Sequence, residues 1–153
     1  MTSLESLITG INSAIGLNER INTITNSLSR PYFGKILQKL AQNNTESATT
    51  LCDYIQVEQT EFNIKDSTKE GKIKVLVWLS NYFGDEISFK DMKKRDILDY
   101  LNNLRKSGNN DPTQKWIGSY NGRQMILNKF FRWLYNPEEP DHRKRMTLFS
   151  IYA

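Results

Sequence analysis

The strongest constraint on the fold is the stretch at residues 113–136 (TQKWIGSYNGRQMILNKFFRWLYN), where large apolar side chains recur at steps of three and four. This spacing predicts one helix with a single buried face. Because such a face must pack against other elements, the stretch belongs to a folded domain. The apolar positions are Trp116, Tyr120, Leu127, Phe130, Phe131 and Leu134.

The polar positions of the same stretch carry basic, amide or hydroxyl groups. They are Gln114, Lys115, Ser119, Asn121, Arg123, Gln124, Asn128, Lys129 and Arg132, and none of them is acidic. Lysine and arginine hold phosphates, while asparagine, glutamine and arginine read base edges in a DNA groove. The alternative interpretation is a solvated face on an ordinary helix, and this stretch alone does not decide between the two.

The rest of the chain repeats the helical spacing and shows no strand alternation, which predicts an all-α fold. We expect four helices between about residue 45 and residue 136, after an arm that is helical or only partly ordered. The first of these helices has its predicted N-cap at Thr45 or Ser47. The second begins with a capping box over Ser67–Glu70 and ends at Gly84. The third starts between Asp91 and Lys94 and ends at Ser107-Gly108, and the fourth is the stretch 113–136.

Composition shifts divide the chain into three parts. We predict an N-terminal arm at 1–42, a helical domain at 43–136, and a proline-containing linker with a truncated tail at 137–153. The net charge of +4 is unevenly distributed: residues 1–65 hold five Lys/Arg and six Asp/Glu, whereas residues 66–153 hold sixteen and eleven. The basic character therefore belongs to the second part, as a modest footprint for nucleic acid.

The chain lacks the residues that several classes of protein function require. Cys52 is the only cysteine and His142 the only histidine, so we expect no disulfide within the chain, no metal site and no cofactor. Asp96 and Asp99 lie among lysines and arginines, which favours surface ion pairs over catalysis. No phosphate-binding glycine motif, signal peptide or long apolar run is present, so we expect a cytoplasmic protein without a membrane or small-molecule partner.

Segments from four regions of the chain, taken in order, carry a resemblance to a known family. They are STKEGKIKVLVWLSNYF at 67–83, MKKRDILDYLNNL at 92–104, DPTQKWIGSYNGRQ at 111–124 and KFFRWLYNP at 129–137. From about Thr45 to Arg145 the chain resembles the N-terminal core-binding domain of tyrosine-type site-specific recombinases, the SAM-like helical domain of integrases, and it is most similar to archaeal members. The resemblance implies a four-helix SAM-like core-binding bundle, here with an N-terminal helical arm.

The resemblance also implies a DNA-binding surface. In that family the second and fourth helices approach the major groove of the duplex. The matching polar residues are Lys69, Lys72 and Lys74 on the second helix and Lys115, Ser119, Arg123 and Gln124 on the fourth. The lysines on these two helices would hold phosphate, and Arg123 or Gln124 would reach base edges.

The chain departs from the family in lacking the catalytic domain, which supplies two arginines, a lysine, histidines and a nucleophilic tyrosine. His142–Arg145 does spell the family's H-x-x-R box, and Tyr152 follows it. The upstream catalytic arginine and its helical setting are missing, so we interpret this box as a basic patch that touches phosphate. We therefore expect no catalytic residues and no enzyme activity.

The resulting hypothesis is a truncated integrase fragment that binds duplex DNA, is linked to DNA integration and recombination, and does not cleave. Other recombinase protomers or a separate catalytic fragment are further candidate partners. Two alternatives remain open at this point: a helical protein–protein interaction module, and an inert integrase remnant.

Overall fold

The computed structural model describes residues 16–108, 116–136 and 138, with side chains at 16–105, 120–136 and 138. Over these residues all regular secondary structure is helical, so the predicted all-α class is confirmed for this part of the chain. The helices are α1 (16–25), α2 (Tyr32–Asn43), α3 (Thr45–Phe62), α4 (Asp66–Phe83), α5 (Lys94–Gly108) and α6 (Trp116–Tyr135), with a 3-10 turn at Phe89–Asp91.

The caps of α3 come from asparagines at both ends. Asn44 is the N-cap, and its side chain accepts a hydrogen bond from the Ser47 backbone N–H at 3.2 Å. The predicted caps Thr45 and Ser47 are therefore wrong, because the short Asn44 side chain satisfies one of the free N–H donors in the first turn. At the other end Asn63 adopts a left-handed conformation, with φ 48°, and its N–H donates to the Gln59 carbonyl.

The limits of α4 match the prediction at one end only. The helix begins at Asp66, one residue before the predicted cap Ser67. A carboxylate in the first turn suits the positive end of the helix dipole, and Asp66 also accepts a hydrogen bond from Ser27 at 3.0 Å. Gly84 ends the helix as predicted: its φ is +82°, and its N–H donates to the Ser80 carbonyl.

The chain divides into two compact units, Met1–Val77 and Trp78–Ala153, and the division falls within α4. In the first unit α2 packs against α3, so the predicted boundary at residues 42/43 does not coincide with this division. The three-part organisation that the sequence indicates stays a prediction. The fully buried apolar side chains of the first unit include Ile21, Ile24, Leu37, Leu51, Ile55 and Ile73.

Cys52 is also completely buried in the first unit. Burial raises the pKa of the Cys52 thiol to about 11, against opposition from the nearby Arg20 charge. A thiol in this setting stays protonated at neutral pH and is a poor nucleophile.

The second unit is held by aromatic packing between the 3-10 turn and the C-terminal half of α6. Phe89 and Phe130 meet edge to face with ring centroids 5.0 Å apart, and Phe131 contacts Phe130 in the same way. Near the end of α6 the Tyr135 hydroxyl donates to the Met92 carbonyl at 3.0 Å. No helix in the described part of the chain is long and apolar enough to span a membrane.

Candidate nucleic-acid interface

Helix α6 has one face fixed by the core of the second unit. Leu127, Phe130 and Phe131 are completely buried, as the sequence pattern predicts. Trp133 is also buried, whereas Leu134 is only half-buried. Because these bulky side chains fix the rotation of the helix, the polar side chains on its opposite side are directed outward.

The opposite side of α6 forms what we call the outer face. It consists of Asn121, Gln124, Met125, Asn128, Lys129 and Arg132. The first three are exposed and the last three half-exposed, and the face contains a shallow groove between Met125 and Arg132. No acidic residue occurs in Trp116–Tyr135, so the helix contributes only positive or neutral side chains.

The amide of Asn128 is incompletely satisfied. Its Oδ1 atom is buried and has no hydrogen-bond partner in the part of the chain that the structure describes. A buried acceptor without a partner costs about 1–3 kcal/mol. Rotation of the amide toward a donor in the groove would relieve that penalty.

Arg123, a predicted base-reading residue, lies on a different side of the helix from the outer face. It is nine residues from Arg132, which places the two side chains about half a turn apart around the axis. Its guanidinium stacks over the Trp78 ring at 4.7 Å from the centroid. Burial raises the pKa of Tyr100, and the charge and hydrogen bond of Arg123 partly oppose that shift. The half-exposed Arg123 is thus held between aromatic side chains of α4 and α5.

Lys72, a predicted phosphate ligand, is buried with only 4% of its surface exposed. Its ammonium donates to the Tyr54 hydroxyl at 2.8 Å and to Glu58 Oε1 at 3.2 Å. We call these three side chains the α3–α4 polar network. A phosphate ligand must reach solvent, so the predicted role of Lys72 is contradicted.

Lys69 fails the same requirement. It is 2% exposed, and its ammonium lies 3.9 Å from the carboxylate of Asp66. Of the three lysines on α4 that the sequence predicts as DNA ligands, only Lys74 is half-exposed. A signal for Lys72 was present in the sequence, because Glu58 shares the helical spacing of Leu51 and Ile55 and therefore requires a cationic partner in the core.

The remaining predicted residues divide into described and undescribed groups. Gln124 is exposed on the outer face. Ser119 lies within α6, but its side chain, together with Lys115, the His142–Arg145 box and Tyr152, falls outside the described residues. The sequence-based selection of site residues omitted five residues of the outer face, namely Asn121, Met125, Asn128, Lys129 and Arg132. The polar ones among them share the charge pattern noted above, whereas nothing in the pattern marked Met125 as exposed.

The two aspartates on α5 have structural partners. The Asp96 carboxylate accepts from the Lys93 backbone N–H at 2.8 Å and so caps the start of the helix. Asp99 accepts from the Tyr82 hydroxyl at 3.4 Å. Within the described residues, no three histidine, cysteine, aspartate or glutamate side chains are grouped to hold a metal ion.

Comparison of the chain with protein-family models, with curated proteins and with solved structures gave no match.

Proposed function

We propose that this protein binds duplex DNA through the outer face of α6 and does not cut it. The observation that carries the proposal is the composition of that face: amides and cations on a helix that contains no acidic residue. Positive and amide groups are the usual ligands of phosphates and base edges. The resemblance to the core-binding domain of tyrosine recombinases supports the same function and links it to DNA integration and recombination.

The dimensions of α6 suit the major groove. An α-helix with its side chains is about 10–12 Å across, and the groove is about 12 Å wide. The line from Asn121 to Arg132 extends about 16 Å along the axis, which corresponds to roughly five base pairs. Lys129 and Arg132 would hold phosphates while the amides meet bases.

The burial of Lys69 and Lys72 changes the predicted site on α4. Both residues leave the proposed site, whereas Lys74 is half-exposed and stays a candidate phosphate ligand by resemblance. Arg123 acts indirectly: through its stacking on Trp78 it fixes α6 against α4. Lys115 and Ser119 remain candidates by resemblance alone.

The proposal is tested by titrating a labelled duplex with the protein at several salt concentrations. If three to five phosphates are neutralised, the logarithm of the association constant falls with the logarithm of salt at a slope of about −3 to −5. A flat salt response would overturn the proposal. An assay for covalent protein–DNA adducts should be negative, since we expect no nucleophilic step.

A pair of matched double variants locates the binding face. Lys129→Glu with Arg132→Glu should weaken binding at least about tenfold, because both changes remove phosphate ligands. Lys35→Glu with Lys39→Glu makes the same charge change at exposed positions of α2 and should have a much smaller effect. Equal losses in the two double variants would mean that net charge, rather than the α6 face, accounts for binding.

One observation favours a second candidate function, a protein–protein interaction module. Met125 is 72% exposed at the centre of the outer face, and large exposed apolar side chains are also found at protein interfaces. Size-exclusion chromatography and pull-down without DNA distinguish the two functions. A partner retained without DNA, together with no duplex binding, would favour the interaction module.

A further inference from the structure

The centre of the outer face is neutral rather than charged. Gln124 and Met125 are exposed there, and Asn128 follows one turn later. Lys129 and Arg132 are half-exposed and lie farther along the helix. A DNA groove would therefore meet the exposed Gln124 amide and Met125 thioether first, with the Asn128 amide one turn farther along the helix.

These three side chains match one type of base pair. Asparagine and glutamine form paired hydrogen bonds with the N6 and N7 edge of adenine, whereas guanine is read mainly by arginine or lysine. The methyl group of thymine accepts apolar contacts in the same groove. Gln124 and Asn128 thus suit adenine, and Met125 suits the thymine methyl.

Two features of the structure are unexplained by packing within the described residues. Met125 leaves 72% of its surface in solvent on a face whose other residues are polar. Asn128 Oδ1 is buried without a hydrogen-bond partner. A thymine methyl would remove the thioether from water. Once the Asn128 amide turns its oxygen toward the groove, an adenine N6 amino group would give that oxygen a donor.

We infer that the outer face of α6 recognises A·T base pairs in the major groove, with Gln124 and Asn128 directed at adenine and Met125 at the thymine methyl. This inference rests on the proposed DNA-binding function. It predicts a short A·T segment at the centre of the preferred duplex and assigns specificity to residues that carry no charge.

The first experiment compares two duplexes with identical flanks and either an A·T or a G·C central segment. The A·T order alternates, so that the narrow minor groove of an adenine tract does not contribute. We expect the protein to bind the A·T duplex at least about tenfold more tightly, since each well-paired base contact discriminates by about 5- to 150-fold. Gln124→Ala and Asn128→Ala should each reduce that ratio.

The second experiment isolates the methyl group. Deoxyuridine in place of thymidine removes only the C5 methyl, and it should weaken wild-type binding by a few-fold. Met125→Ala should bind the thymine duplex more weakly and lose the difference between thymine and uracil, whereas Met125→Leu should keep it. Leu98→Ala, at an apolar α5 position that is 44% exposed, is the matched control and should leave the difference unchanged.

The outcomes separate this inference from the proposed function. Salt-dependent binding with equal affinity for the A·T and G·C duplexes overturns the inference and leaves DNA binding intact. A preference for G·C, or a Met125→Ala variant that still distinguishes thymine from uracil, also overturns it. If neither duplex is bound at low salt, the proposed function fails and this inference fails with it.

Discussion

The α3–α4 polar network and the outer face of α6 use polar side chains in opposite ways. In the network, Lys72 donates hydrogen bonds to Tyr54 and Glu58 inside the core of the first unit. On the outer face, Gln124 and Asn121 are exposed to solvent. Both regions contribute to the basic and polar character of the sequence, yet only the second can reach a partner. The location of a charge in the fold therefore matters more than its contribution to net charge.

The two regions also differ in what they do for stability. A buried ion pair is compensated only while both partners are present, because a single charge in the core has no solvent to replace its partner. When an exposed side chain is removed, water takes its place and solvates the groups that it contacted. Substitutions in the network should thus change folding, whereas substitutions on the outer face should change binding.

The largest expected effect sharpens this contrast at Lys72. Lys72→Met leaves the buried Glu58 carboxyl without its cation, and we expect the free energy of unfolding to fall by about 3–5 kcal/mol in urea denaturation. Lys65→Met, at an exposed position before α4, is the control and should change it by less than about 0.5 kcal/mol. A double variant, Glu58→Leu with Lys72→Met, should recover most of the loss. Normal stability in Lys72→Met alone would break the comparison.

A second effect concerns pH and Cys52 in the same core. Because burial raises the thiol pKa from 9.0 to about 11, the folded state keeps the proton that the unfolded state releases. The contribution of this protonated thiol to the free energy of unfolding is fully present below about pH 9 and is lost as pH rises through about 11. The total change is about 2–3 kcal/mol. Cys52→Ala should flatten that part of the pH profile, measured by denaturant unfolding. An unchanged alkaline slope would contradict the burial of the thiol.

A smaller effect tests the stacking of Arg123 on Trp78. Arg123→Ala removes the stacking on Trp78 and should lower stability by about 0.5–2 kcal/mol, with part of the loss restored in Arg123→Lys. The pKa of Tyr100 should rise further, because the arginine charge that lowers it is gone. Tyrosinate absorbance during alkaline titration measures this shift. A Tyr100 pKa that stays the same would show that Arg123 does not act on the hydroxyl.

The smallest expected effect is on the outer face. Met125→Ala should change the free energy of unfolding by less than about 0.5 kcal/mol, since most of the side chain is already in water. Thermal unfolding followed by circular dichroism measures it beside Leu127→Ala, which removes a completely buried neighbour and should cost about 2–5 kcal/mol. Similar losses in both variants would show that the outer face is part of the core.

Sequence periodicity predicted the elements whose limits depend on local chemistry. The end of α4 at Gly84, the start of α5 and the buried residues Leu127, Phe130 and Phe131 are confirmed. Predictions that depend on neighbouring elements were less accurate. The apolar spacing of α5 predicts a buried stripe of Ile97, Leu98, Leu101 and Leu104, yet Leu98 is 44% exposed and Tyr100 is buried.

The predicted site failed where its residues depended on tertiary packing. Nothing within α4 distinguishes a lysine that faces Glu58 from one that faces solvent, because the carboxylate comes from α3. Arg123 and Gln124 are adjacent in sequence, yet the aromatic side chains of α4 and α5 hold only the first. DNA binding and the recombinase resemblance remain predictions, since the comparisons bear on neither.

The burial of the single thiol has a practical consequence for anyone who studies this chain with fluorescent dyes. A maleimide reacts with thiolate, and Cys52 is both inaccessible and protonated at neutral pH. One new cysteine at an exposed position, such as Gln124→Cys, would therefore accept the label selectively without removal of the native residue. Distances and mobility at the helix surface then become measurable in an otherwise unmodified protein.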